Sequence, residues 1–389
     1  MNGKFFKCVA LALLPLCFGV LFFGCGTTHP EETDVSADSL TEKVNVVQNA
    51  VRLEELSEYN GKILCCTEQL SDNILVLAYR EEIPNRDRTY LENLKSQILT
   101  YDLNKKRIVG VSEEFLSTMS SLCGLKLLKN NFYIFIDEDV IVFDADCRVS
   151  KKFKLPIENY MANNVDYILT DDLEKCIYSK AGELVISDSD GNNPTAVYKE
   201  GPGKPSFSKI FLTSSPDIIA FFGSILAESE GESEKCYGTL NIKTGKIDYS
   251  VANHCYATAS GDNVIIQSTS LDVGMVRNGY ATIFNAVTKE EKRIESKYSD
   301  NEEYFNIAKD PSYIIGTHYD ESKPNDLTFN IYHNLALEKT VSYTFENEND
   351  AASASKVAPI FMNAPEGELI VPYYDNENKC YMVLSITAD

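Results

Sequence analysis

The chain has 389 residues, with 58 Asp and Glu against 36 Lys and Arg and a formal net charge of −22. That balance argues against nucleic acid and against lying flat on anionic lipid, because both are themselves negative. Apolar residues make up 44%, enough for a large core, and 22 Tyr with 19 Phe and no Trp suit strands better than helices.

The first element is an apolar run. Lys4 and Lys7 precede residues 8–24 (CVALALLPLCFGVLFFG), which carry no charge. A basic start and then an apolar stretch is the pattern of a secretory signal, which delivers the remainder of the chain outside the cytoplasm. Gly24 and Cys25 close the run as a small residue before a cysteine. The stretch resembles a bacterial lipoprotein signal peptide, which implies that Cys25 becomes a lipidated N-terminus. Phe22 and Phe23 stand where that family prefers Leu and a small residue. An uncleaved transmembrane anchor is the alternative, since about 17–19 apolar residues just span a bilayer. Both readings place the rest of the chain at the bacterial cell envelope, tethered to the membrane. Residues 1–24 are thus read as a signal peptide and 25–43 as a tether. The tether is polar and acidic without an apolar period, and is expected to be disordered. Residues 44–389 are the expected folded domain.

From about residue 60 the chain runs in short apolar stretches broken by Asp, Asn, Gly and Lys. Residues 73–81, 131–139, 139–148, 183–191, 217–225, 263–270, 313–321 and 368–376 read as strands. Helical periods are weak and confined to 44–58 and 88–97. Units built on a buried strand recur near residues 75, 134, 177, 219, 265, 315 and 370. Such a spacing fits a propeller blade, whose four-stranded sheet buries both faces only between two neighbours. The expected fold is all-β: a single β-propeller of seven four-stranded blades, with six as the alternative. The turns DLNKKR (102–107), DADCRV (144–149), DSDGNN (188–193) and IKTGKI (242–247) close third strands. The chain stops at Asp389, leaving the last blade without an outer strand, and residues 44–53 are expected to supply it and hide the open edge.

Residues 214–224 (SSPDIIAFFGS) and 183–198 (ELVISDSDGNNPTAVY) resemble the repeats of TolB-like and WD40-like propellers. The resemblance covers two of the seven units and lacks the usual Trp. It implies a binding platform, a scaffold or a gating domain, and no single activity.

Eight cysteines come after Cys25, most of them within strand patterns such as KILCC (62–66). They read as buried thiols acting as small hydrophobes, with a disulfide framework as the alternative. Cys65 and Cys66, adjacent in one strand, are expected on opposite faces.

No catalytic set is assigned. Ser206–Lys209 matches S-x-x-K and Lys243–Gly245 is K-T-G, but neither S-D-N, at 71–73 or 299–301, falls between them. Penicillin-recognising chemistry needs that order and a helix at the serine. The K-T-G reads as a hairpin turn in which Gly245 supplies a positive φ. His254, His318 and His333 are isolated bases. Zinc spacings are absent. Calcium is the one candidate cofactor: Asp188, Asp190 and Asn192 offer hard oxygens on one turn, although the terminal bidentate Glu is missing.

Four inserts, 81–96, 226–235, 269–279 and 320–326, are expected to lengthen the links between second and third strands, which leave a propeller at one face. They bring Arg86, Arg88, Tyr90, Arg277 and Tyr319 forward as candidate binding side chains. The expected function is a binding module for an envelope protein partner. A small-ligand or glycan sensor is the second reading, and a hydrolase or lyase acting at the channel mouth is the third.

Overall fold

The computed structural model describes residues 45–46, 50–59, 61–82, 92–136, 139–154, 167–180, 182–225, 234–252, 255–270, 276–298, 303–355, 358–362, 368–378 and 380–387. The apolar run, Cys25 and the tether lie outside them. The compact unit spans Val44–Asp389.

Two short strands open it, β1 (Asn45–Val46) and β2 (Ala50–Arg52). Blade 1 is β3 (Lys62–Ser71), β4 (Ile74–Glu81), β5 (Leu94–Asp102) and β6 (Arg107–Val111), with β7 (Phe115–Ser117) pairing beside β6 on β5. Blade 2 is β8 (Lys126–Leu127), β9 (Phe132–Ile136), β10 (Asp139–Phe143) and β11 (Val149–Lys154). Blade 3 is β12 (Tyr167–Leu169), β13 (Lys175–Lys180), β14 (Glu183–Asp188) and β15 (Thr195–Lys199). Blade 4 is β16 (Pro205–Leu212), β17 (Ile218–Ile225), β18 (Glu234–Asn241) and β19 (Ile247–Val251). Blade 5 is β20 (Cys255–Ser260), β21 (Asn263–Ser270), β22 (Val276–Asn285) and β23 (Glu291–Glu295). Blade 6 is β24 (Glu303–Ile307), β25 (Tyr313–Tyr319), β26 (Asp326–His333) and β27 (Ala336–Thr344). Blade 7 is β28 (Ile360–Met362), β29 (Glu368–Asp375) and β30 (Cys380–Thr387). Its outer strand is β2, antiparallel to β30 with Ala50 opposite Ile386. β1 runs parallel to β27 on the rim of blade 6. The fold is a seven-bladed propeller of antiparallel sheets, closed by its N-terminal strand.

Burial explains why these residues take these places. Each second strand lies inside its sheet and between two neighbouring blades, so it is apolar on both faces: Leu75–Arg80, Ile219–Gly223 and Leu369–Tyr373 are buried without a break. Outer strands meet solvent and read VSKKFK in β11 and EKRIE in β23. Among the described residues there are seven cores instead of one, each shared by consecutive blades. Leu70, Val76 and Ile98 of blade 1 meet Phe132, Ile134 and Phe143 of blade 2. The series continues around the ring. It closes where Leu75, Leu77 and Leu99 of blade 1 meet Ile370 and Val383 of blade 7. Leu53, Leu56 and Tyr59, just after β2, pack into that closing core. Residues 54–59 form a 3-10 turn there, within the stretch whose valines and leucines also fit a helical period.

One joint is polar. Glu303, fully buried at the start of β24, accepts on Oε1 from Asn330 Nδ2 (2.8 Å) and Tyr332 Oη (3.0 Å). Its Oε2 accepts from Ser296 Oγ (3.0 Å) and the Lys297 amide (3.1 Å). Gln267 of blade 5 donates through Nε2 to the Glu303 carbonyl (2.7 Å) and accepts on Oε1 from the Phe305 amide (3.0 Å). The carboxylate fits because residue 316, on the neighbouring strand, is glycine: a Cβ there would overlap Glu303 Oε1.

The turns after third strands share one device. Asn241 Oδ1 accepts from the amides of Lys243 (3.1 Å) and Thr244 (2.9 Å), and Asn285 Oδ1 does the same for Val287 and Thr288. Four residues after each Asx stands a left-handed residue, Gly245 (φ 70) and Lys289 (φ 65). The K-T-G is therefore hairpin chemistry, and Ser206 lies within strand β16.

Candidate interaction face and channel

Antiparallel blades send their links to two ends of the ring. First-to-second and third-to-fourth links leave one end, and each is two to six residues long. Second-to-third links and the links between blades leave the other. There the segments 82–93, 112–125, 155–166 and 345–359 exceed ten residues. The helices α1 (Met119–Cys123) and α2 (Glu348–Ala354) and the 3-10 turn at 54–59 all belong to this link-rich end. By sequence its links carry 25 Asp or Glu against 7 Lys or Arg, whereas the short-link end carries 12 against 8. Most of the chain's charge excess thus leaves the ring on one side.

The described part of this end is braced. Asn325 Nδ2 donates to the carbonyls of Phe345 (3.1 Å) and Glu346 (3.4 Å), joining the 320–325 link to the segment before α2. Asn347 caps α2 by accepting from the Asp350 amide (3.1 Å). Asp350 Oδ1 then accepts from the backbone (2.9 Å) and side chain (3.0 Å) of Asn376 in the next link. Glu321, Glu346, Glu348 and Glu377 are exposed on this shelf over blades 6 and 7. Above blade 1, Leu116 is 59% exposed and adds an apolar point to the same end.

The four inserts overlap the second-to-third links 82–93, 226–233, 271–275 and 320–325, although most of 269–279 belongs to β21 and β22 themselves. Tyr319 ends β25 beside the shelf, half-buried against the core of blades 6 and 7. Burial, with Glu348 and Glu321 nearby, pushes its hydroxyl up. Arg277 lies opposite Thr269 at the link-rich end of the β21–β22 hairpin. Arg86, Arg88 and Tyr90 fall outside the described residues, as does His254. His318 is buried and stacked on Tyr298 with centroids 3.5 Å apart, and His333 is stacked on Tyr313 at 4.5 Å.

Asp188, Asp190 and Asn192 sit together on the short-link end of blade 3. Asp188 binds Lys175 Nζ (2.5 Å) and accepts from Asn193 Nδ2 (2.7 Å), and the lysine holds its carboxyl below the usual range. Asp190 accepts from the amide (3.2 Å) and side chain (2.8 Å) of Asn192. Among the described residues no group of three or more His, Cys, Asp or Glu is placed to hold a metal.

The channel wall is built from the open edges of the inner strands, whose backbone groups need partners. Lysines from other blades supply several. Lys126 Nζ donates to the Tyr167 carbonyl (3.0 Å) and Lys209 Nζ to the Ala257 carbonyl (3.1 Å). Lys309 of blade 6 reaches the Leu70 carbonyl of blade 1. Asn306 Nδ2 donates to the Pro359 carbonyl (3.4 Å). These side chains fasten one inner strand to another, and sequence alone could not pair them.

Glu68 stands on the inner strand of blade 1, half-buried, and burial pushes its carboxyl up to about 7 from an ordinary 4.5. The folded protein holds this proton more tightly than the unfolded chain. Its contribution is therefore fully present below pH 4.5 and is lost as pH rises through 7. Glu68→Gln is expected to flatten the decline in urea midpoint between pH 5 and pH 8. An unchanged decline would assign the titration to another group.

No protein-family model and no curated protein matches the chain. Among solved structures it is similar to the WD40 domain of Neurospora crassa Pan2, at TM-score 0.48 and 8% identity, over 88% of this chain and 95% of that one. It is also similar to the β-propeller domain of Myceliophteria thermophila Cps50 (Swd1), at TM-score 0.43 and 10% identity, over 84% and 100%. A Pyrococcus horikoshii acylaminoacyl peptidase aligns at TM-score 0.41 and 10% identity, over 82% of this chain and 44% of that one. The seven sheets and seven shared cores establish the fold independently of these likenesses.

Proposed function

We propose that the chain is a membrane-tethered propeller outside the cytoplasm whose link-rich end binds a protein partner with a basic surface. The observation that carries this reading is the inequality of the two ends. The long links, the two described helices and most of the excess acid lie on one side of a rigid ring, and elaborating one face of a scaffold is how loop-borne binding is built. The acidic excess suits a basic partner and speeds its capture at low salt. The tether is inferred from the apolar run ending at Cys25, whose Cys25→Ser variant is expected to lose acylation and leave the membrane fraction.

The test compares two variants by cross-linking in the native membrane and mass spectrometry. One replaces 84–91 and 226–233 with short Gly-Ser turns; the other alters 190–193 on the short-link end. Loss of a recurrent cross-linked protein from the first variant only, with weaker capture as salt rises, is the expected result. Equal capture by both variants would overturn the choice of face.

A further inference from the structure

Among the described residues seven cysteines stand outside any disulfide. Cys147, Cys176, Cys236 and Cys380 are buried in the manner of small hydrophobes. Cys65, Cys66 and Cys123 instead converge at the joint between blades 1 and 2. Pairing in β3 shifts between Leu64 and Cys66, so Cys65 is the extra residue of a β-bulge. A bulge interrupts the alternation of faces, and Cys65 and Cys66 both pack against the core shared with blade 2. The expectation of opposite faces is thereby corrected.

The third thiol comes from the link-rich end. Thr118 Oγ1 accepts from the Ser121 amide (3.1 Å) at the start of α1, and Leu122 plugs the same core. The helix ends at Cys123, which is exposed and whose Sγ donates to the Cys65 carbonyl at 3.3 Å. A carbonyl oxygen lies within about 3 Å of the Cα atoms on both sides of its peptide, so Cys123 Sγ stands within about 6 Å of the Cα atoms of Cys65 and Cys66. A bridge requires the two Cα atoms about 4.4–6.8 Å apart and the Cys66 thiol turned from Glu68 toward Cys123. The Cys65 thiol is turned back along its own strand to the Ile63 carbonyl (3.6 Å). The Cys66 thiol, pushed well up by burial, points to Glu68 Oε1 (4.0 Å), which accepts its proton once that carboxyl is ionised.

We propose that Cys123 and Cys66 form a thiol–disulfide pair, oxidised by a small-molecule disulfide, that locks α1 to the inner strand of blade 1. The exposed Cys123 thiolate attacks glutathione disulfide, forming a mixed disulfide and releasing one glutathione thiolate. Cys66 gives its proton to Glu68 and attacks Cys123 Sγ, which expels the second glutathione. Two protein thiols lose two electrons and two protons, and one glutathione disulfide becomes two thiols. The reaction does not depend on the nature of any partner, so its failure leaves the binding reading untouched.

The test incubates the full chain in detergent with excess glutathione disulfide, quenches with acid, alkylates and maps tryptic peptides. The expected product links peptide 63–80 to peptide 108–126, with two fewer alkylated cysteines. In Cys65→Ser the link persists, which assigns it to Cys66 without relying on a substitution at that packed position. Cys66→Ser is expected to retain a glutathione adduct on Cys123. A bond within peptide 63–80, a stable adduct on unaltered protein, loss of the link in Cys65→Ser, or no oxidation would each overturn the proposal.

Discussion

Removing residues 1–53 is expected to lower the stability of the ring far more than removing residues 1–43. The longer deletion takes away β2, exposing the edge of β30 over Leu384, Ser385 and Ile386. It also removes Leu53, buried in the core that joins blade 7 to blade 1. Losing one buried leucine costs about 2–5 kcal/mol, and the unpaired edge adds to that and invites pairing between molecules. The expected loss is therefore roughly 5 kcal/mol, read as a lower urea midpoint together with concentration-dependent association. The shorter deletion leaves β1, β2 and the closing core in place, and its midpoint is expected to match the full domain. Equal midpoints for the two deletions would mean that the ring holds through side-chain packing of blades 7 and 1 alone.

Glu303→Ala is expected to destabilise the domain by about 3–5 kcal/mol, because several buried donors lose their acceptor and each such loss costs about 1–3 kcal/mol. Four donors then face a void: Asn330 Nδ2, Tyr332 Oη, Ser296 Oγ and the Lys297 amide. Gly316→Ala should cost a comparable amount for a different reason, because its methyl would displace the carboxylate. The double variant separates this account from general damage. With the Glu303 side chain gone, the methyl has room, so the combined loss should fall short of the sum by about 1 kcal/mol or more, as coupled neighbours do. Strict additivity in a denaturation cycle would show that Gly316 is required for something other than Glu303.

The sequence signalled those parts of the fold whose burial is local and periodic. Second strands such as 74–81 and 218–225 stand out because neighbouring blades cover both faces, and their recurrence counted the blades. Third-to-fourth turns were legible through the Asx residues that accept their amides. Outer strands were not, since VSKKFK and EKRIE face solvent and look like loops. The helices α1 and α2, five and seven residues long, are too short to display a helical period. Glu303 reads as an ordinary surface acid in NEEYFNI until Asn330, Tyr332 and Gly316 are brought around it. The link-rich end was half legible. Insert lengths marked it, but the bracing of α2 by Asn325 and Asn376 depends on side chains from separate links.

The pairing of Ala50 with Ile386 also has a history in time. Translation makes the N-terminal strand first, and more than three hundred residues must be added before its partner exists. At about 5–20 residues per second, that interval lasts tens of seconds. Throughout it, blades 1 to 6 can stack in order while the two ends of the arc stay open, with Leu75 and Leu77 at one of them awaiting Ile370 and Val383. A nascent or stalled chain therefore presents an apolar surface and a loose first strand that the finished molecule never shows, which makes it a distinct substrate for chaperones and proteases.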